Sequence, residues 1–158
     1  MGRVLRSSVE GLFSSLVLTD LVAPGALASD FDVVLSEIHY RPFGAGEPRL
    51  ELVELHNRGA SPVRLAGWKF IEGIDFTFPA GTFIDPGAYL AVAADAAALR
   101  ALHGGVTILG DFSGRLDNSG EILHLANASG QSISRVHFHD GGAWSSRADG
   151  KGPSLELL

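Results

Sequence analysis

The chain has 158 residues, 46% of them hydrophobic, with 18 Asp and Glu against 12 Lys and Arg and no cysteine. This length fits one domain with a core of its own. The formal charge of −6 speaks against a nucleic-acid surface, which needs a positive stripe, and the lack of cysteine removes disulfides and thiolate metal sites.

In chain order, residues 1–30 read as a leader. "MGRVLRSS" supplies two positive charges, "GLFSSLVLTDLVAPGALAS" is largely apolar, and Ala26-Leu27-Ala28 has the small-x-small form of a signal-peptidase site. Glu10 and Asp20 interrupt the apolar stretch, so two further readings stand beside an export signal. One is a helix of the mature protein, with Leu12, Phe13, Leu16, Val17 and Leu21 on one face and Pro24-Gly25 at its end. The other is a mis-assigned start. With an export signal the protein belongs outside the cell or on its surface. No run of 18 apolar residues occurs, so no transmembrane segment is expected.

Residues 31–158 read as the folded domain. "VVLSEIHY" (33–40) is a β run, and "LELVELHN" (50–57) alternates, with Leu52, Glu54 and His56 on one face and Val53, Leu55 and Asn57 on the other. "VRLAGWKFI" and "IDFTF" are short β pieces, and Tyr89 to Ala93 is a strong strand. "DAAALRALHG" (95–104) is the one helical island, capped by Asp95 and stopped by Gly104-Gly105. Its shortness predicts a connection across one end of the fold. "EILHLANASGQSISRVHF" predicts a hairpin of strands 121–127 and 131–138. A Gly-rich loop anchored by Trp144 follows, and Gly152-Pro153 sets up a closing strand with Leu155 and Leu157 on one face. Eight to ten short strands without covering helices predict an all-β, two-sheet sandwich, with Trp68 and Trp144 as core or loop plugs.

The order and spacing of "VVLSEIHYRP", "LELVELHNRGASPVRLAGWKF", "FTFPAGTFIDPGAYLAVA", "LDNSGEILHLANASGQSISRVHF" and "WSSRADGKGPSLELL" resemble the lamin-tail domain family, and its bacterial forms most. The resemblance covers roughly 33–158 and implies an immunoglobulin-like sandwich with one short connecting helix. Glu37 falls at the acid of the family's opening strand, with Ser36 in place of the more usual Asn. Glu54 and Asn57 fall at the acid and amide of its second strand. Leu65, Gly67 and Trp68 fall in its turn motif, where Arg64 and Ala66 replace Asp and Ser and should lose a turn hydrogen bond. Gly120, Trp144, Gly152, Pro153, Leu155 and Leu157 complete the signature. In some bacterial relatives such a domain precedes a kinase-like domain of the spore-coat protein H type.

Candidate chemistry is thin. Glu37 and Glu54 would serve general acid–base work only if the fold paired them and shifted one pKa; single acids on strands are more commonly hydrogen-bonded or solvated. His137-x-His139 puts two imidazoles on one strand face, with Asp140 or His124 as further candidates. Zinc needs three or four ligands, so the pair reads as packed or solvent-facing. Asp111, Asp117, Asn118 and Glu121 form an oxygen-rich stretch without EF-hand spacing, read as turn chemistry with a weak calcium site as the alternative. "GDFSG" lacks a nucleophile elbow and "ADGKGPS" lacks a phosphate-cradling loop. "NAS" at 127–129 is a formal glycosylation acceptor at the hairpin tip. Arg49, Glu51 and Glu54 are candidates to blunt an edge strand.

The resulting expectation is a non-catalytic interaction, attachment or scaffold module, without cofactor or metal, contacting protein or cell-surface material. The alternative is a targeting appendage of a larger exported nuclease, phosphatase or kinase-like enzyme; a small metal-dependent hydrolase is a third. A lamin-like role would require a heptad rod, which the sequence does not contain. Oligomeric state stays open at this level.

Overall fold

The computed structural model describes residues 27–43 and 48–157. The apolar stretch read as an export signal, with a helix or a mis-assigned start as alternatives, falls on residues 1–26 for its greater part, and these residues and Leu158 lie outside the described residues. A 3-10 turn at Asp30–Asp32 is capped by Ser29, whose side chain accepts from Phe31 N–H, and leads into the first strand. The strands are β1 (Val33–His39), β2 (Leu52–Asn57), β3 (Val63–Arg64), β4 (Lys69–Glu72), β5 (Phe83–Ile84) and β6 (Tyr89–Ala93), then helix α1 (Ala96–Leu102), then β7 (Ile108–Gly110), β8 (Ile122–Ala126), β9 (Ser132–His137) and β10 (Leu155–Glu156).

These ten strands form a five-stranded sheet in the order β10-β1-β2-β6-β7, a three-stranded sheet β4-β8-β9, and a short ribbon β3-β5. The two larger sheets face each other as an immunoglobulin-like β-sandwich. Alternation along the strands, offset in β1 by an irregularity between Leu35 and Glu37, explains the core: Leu35, Ile38, Val53, Leu55, Leu90 and Val92 from one sheet meet Phe70, Leu123 and Leu125 from the other in one cluster, closed by Val63 and Ile84 of the ribbon. Trp68 is buried within it, and Trp144 packs against it half-exposed.

The helix corrects one sequence expectation. It does not simply cross an end: β6 and β7 pair in parallel, and α1 is the crossover between them. Asp95 caps it by accepting from Ala98 N–H at 2.8 Å, and Asp111 accepts from Ala96 N–H at 2.7 Å. Ala96 and Leu99 bury a second cluster with Ala91, Ala93 and Ile108, against which Leu50 and Leu52 pack. The helix therefore covers part of the outer face of the five-stranded sheet and leaves the rest open. It is seven residues long, and among the described residues no helix is long and apolar enough to cross a membrane.

The edge-charge reading is also corrected. β2 lies between β1 and β6, so Glu54 sits in mid-sheet. Glu51, just before β2, is fully buried and accepts from Leu116 N–H at 2.8 Å, with the Arg115 guanidinium 3.9 Å away. Arg49 instead forms a forked pair with Asp95 at 2.7 and 2.9 Å beside the start of α1.

Candidate functional site

The outer face of β1 and β2 that α1 leaves uncovered is the floor of an open groove of about 1060 Å³, walled by β9, the loop carrying Trp144, and β10. Register brings its polar residues together. Glu37 stands opposite Glu54 across the β1–β2 pair and opposite Glu156 across the β1–β10 pair, so three carboxylates run in one cross-strand row. The carboxylate pairing that the sequence leaves open is thus made by the fold.

A β-bulge between Leu35 and Glu37 produces this row. The extra residue is Ser36, whose hydroxyl donates to Glu54 Oε1 at 2.8 Å. The Ser36 carbonyl accepts from Leu157 N–H at 2.7 Å, tying β10 to β1. Bulges aim side chains and increase local twist. Here the bulge lets β1 serve both sheets: ahead of it, Leu35 N–H donates to the Ser134 hydroxyl of β9 at 3.3 Å. Glu54 is half-buried, and its carboxyl is held above the ordinary range, chiefly by that burial; the Ser36 hydroxyl pulls it down, and the neighbouring Glu37 and Glu156 charges push it up.

Two residues along β2, His56 opposes Tyr89, and the rings stack at 4.2 Å with 8° between planes. Tyr89 remains half exposed, presenting an aromatic surface beside the carboxylate row, with Arg58 at the same groove. Chemically the groove offers carboxylate acceptors, a stacked aromatic pair and an apolar wall at Trp144. Such groups can accept hydrogen bonds, pair with cations and stack. The Ser36 hydroxyl beside them is engaged in orienting Glu54.

The remaining signature residues sit in the core, in turns or at strand ends. Asn57 is fully buried; its amide donates to the Ser61 and Ile84 carbonyls at 2.9 and 3.0 Å, and its oxygen accepts from Gly59 N–H at 2.9 Å. It fastens the end of β2 to β5. Leu65 and Trp68 close a turn through Trp68 N–H to Leu65 carbonyl at 2.9 Å, with Gly67 at φ +79°. Gly120 has φ +108°, and a Cβ there would stand 2.4 Å from the Phe138 carbonyl oxygen, so only glycine fits. Gly152, at φ +110°, and Pro153 turn the chain into β10, whose Leu155 is buried while Leu157 packs partly against the core.

The oxygen-rich stretch divides among separate local bonds. Asp111 serves α1, Asp117 accepts from the N–H and hydroxyl of Ser119 at 2.8 and 2.6 Å, and Glu121 accepts from Asp117 N–H at 2.9 Å. The Ser119 hydrogen bonds hold the Asp117 carboxyl below its ordinary range, whereas burial raises that of Glu121. Among the described residues no three His, Asp or Glu side chains converge as metal ligands. His124 does not join the other two histidines, because it meets Glu72 at 3.1 Å and the Ser132 hydroxyl at 2.8 Å. His137 and His139 do lie together, with ring centroids 4.2 Å apart.

The glycosylation reading is corrected too. Asn127 is buried, and its amide donates to Asp30 at 2.9 Å and Gln131 at 3.3 Å. Its oxygen accepts from Ser129 N–H and hydroxyl and from Gln131 N–H. It is the inner staple of the turn, not an exposed acceptor. Two features of the candidate site escape sequence reasoning. Ser36 stands in the sequence only as a departure from the family's Asn, since a bulge has no signature in one strand alone. The His56–Tyr89 stack depends on β2–β6 register, with 33 residues' separation in sequence giving no local clue.

Among known proteins, the family described as Lamin Tail Domain has a model that matches residues 28–140. No curated protein matches the chain.

Proposed function

The chain belongs to the lamin tail domain family, and from that premise we propose that it is a non-catalytic interaction or attachment module of an exported or cell-surface protein, receiving its partner in the open groove. The observation that carries this is the row Glu156–Glu37–Glu54 on the uncovered outer face. Like charges placed side by side across strands destabilise a sheet; a partner bearing Lys or Arg would relieve that repulsion. Tyr89 and Trp144 add flat contact area at low entropic cost. The occupant that fits is an extended protein segment carrying positive charge.

Fluorescence of Trp144 tests this, because Trp68 is buried and serves as a constant background. Basic, acidic and neutral extended peptides and neutral oligosaccharides are titrated into the full chain. The expected result is a saturable change with basic peptides alone, weakened at higher salt and abolished in Glu37→Lys and Tyr89→Ala. Saturable binding of acidic peptides or sugars, an unchanged response in both variants, or no binding by any peptide would each overturn the reading.

A further inference from the structure

We propose that His137 and His139 form a two-imidazole surface site for a transition-metal ion, with Cu(II) the best fit. This inference stands apart from the reading of the groove. β9 ends at His137, and Phe138 N–H donates to the Glu121 carbonyl at 3.0 Å, carrying the pairing with β8 one residue further. Alternation along an extended chain therefore puts residues 137 and 139 on the same side. Phe138 between them points the other way, fully buried, its ring 5.1 Å from that of Tyr40. That anchor fixes the direction in which both imidazoles face.

The result is two exposed rings with centroids 4.2 Å apart and planes inclined at 47°. Gly120 sharpens the placement, since its backbone packs so tightly that a Cβ would come within 2.7 Å of His139 Cα. Neither ring has a hydrogen-bond or ion-pair partner among the described residues, in contrast to His124, which Glu72 and Ser132 occupy. Two ring nitrogens that bind one ion at about 2 Å each lie roughly 3 Å apart, which neighbouring rings at this separation reach by side-chain rotation alone.

The ligand count selects the metal. Structural zinc takes four protein ligands and catalytic zinc three, and no third ligand converges among the described residues. Imidazole suits copper, nickel and zinc, and affinity at nitrogen sites rises to a maximum at Cu(II). Copper's tetragonal geometry accepts two adjacent nitrogens from the protein, with water in the remaining positions.

The test uses the full chain after treatment with a chelator, titrated with a copper(II) salt and followed by calorimetry and electron paramagnetic resonance. One Cu(II) per chain with nitrogen ligation is expected, with Ni(II) and Zn(II) binding more weakly. His137→Ala and His139→Ala each reduce a chelate to a single contact, weakening the binding on the order of 100-fold; His124→Ala leaves it unchanged. Near-ultraviolet circular dichroism checks that each variant keeps its fold, and both substituted rings are exposed. Binding by a His137→Ala/His139→Ala double variant as tight as that of the parent, loss of binding in His124→Ala alone, or a spectrum without nitrogen ligation would each overturn the proposal.

Discussion

Asn57 shows what one buried polar residue can do when every hydrogen-bonding group it carries is met. Its amide and oxygen make three bonds, two to backbone groups of the β2–β3 connection and one to the Ile84 carbonyl of β5. Asn57→Ala would remove these three bonds and leave the buried Ile84 carbonyl without its Asn57 donor, so a loss of about 1–3 kcal/mol is expected in chemical denaturation. Glu54 works in the opposite sense. Burial holds its carboxyl above the ordinary range, so the folded state binds the proton more tightly than the unfolded chain does. Its contribution is then fully present in acid below the unfolded pKa and is lost as pH rises through the folded one. Glu54→Gln removes the ionisation while keeping an acceptor for the Ser36 hydroxyl. The variant should melt higher than the parent at pH 7, and the difference should close as the pH is lowered toward 3. A gap that persists in acid would show that the effect is not one of ionisation. His39 has the opposite pH dependence: burial holds its pKa below the ordinary value, so its part of the stability is present above that value and lost as pH falls.

At the scale of elements, β10 matters more than its two residues suggest. Leu155 fills the core, Glu156 extends the carboxylate row, and Leu157 N–H bonds to the carbonyl of Ser36 at the bulge. Leu155→Ala should cost about 2–4 kcal/mol, and deletion of 154–158 should lower the melting temperature and reduce groove binding together. An unchanged melting temperature would refute the role of β10 as a closing strand. The β8–β9 hairpin depends on its own local chemistry. Asn127 staples the turn, and at Gly120 the backbone approaches Phe138 too closely for any side chain. Gly120→Ala combines a positive φ with that clash, so about 1–3 kcal/mol of destabilisation is expected from thermal or chemical unfolding. Helix α1 has a different kind of effect, since its position decides how much of the outer sheet face is covered and how much is groove.

For the whole molecule, the family match ends at residue 140, yet residues beyond it complete the sandwich. Ala148 and Leu155 are buried, Trp144 packs against the core, and Arg41 pairs with Asp149 at 2.6 Å. A chain truncated after residue 140 should therefore be less stable than the full chain and should expose the buried face of Ile38 and Tyr40. Dye binding to exposed apolar surface, together with the melting temperature, would measure this. The groove requires both sheets as well: its floor belongs to one, while Ser134 and Arg135 in its wall belong to β9 of the other. Arg135 is held in that wall through Glu72, 3.1 Å away, whose carboxyl it keeps below the ordinary range.

Much of this architecture is written in local pattern. Alternation along residues 50–57, the strong strand Tyr89 to Ala93, the Asp95 cap and the turn residues around 127–130 specify strands, helix and hairpin, because period and propensity act over a few neighbours. The family resemblance adds the order in which those pieces occur. What sequence alone could not decide is which pieces lie side by side. The parallel β6–β7 pair, the burial of Glu51, the inward amide of Asn127, the Glu156–Glu37–Glu54 row and the His56–Tyr89 stack all depend on register between segments far apart in the chain. A side chain's environment is set by its neighbours across the sheet. A one-residue bulge at Ser36 is enough to turn a face, and only packing fixes where such a bulge falls.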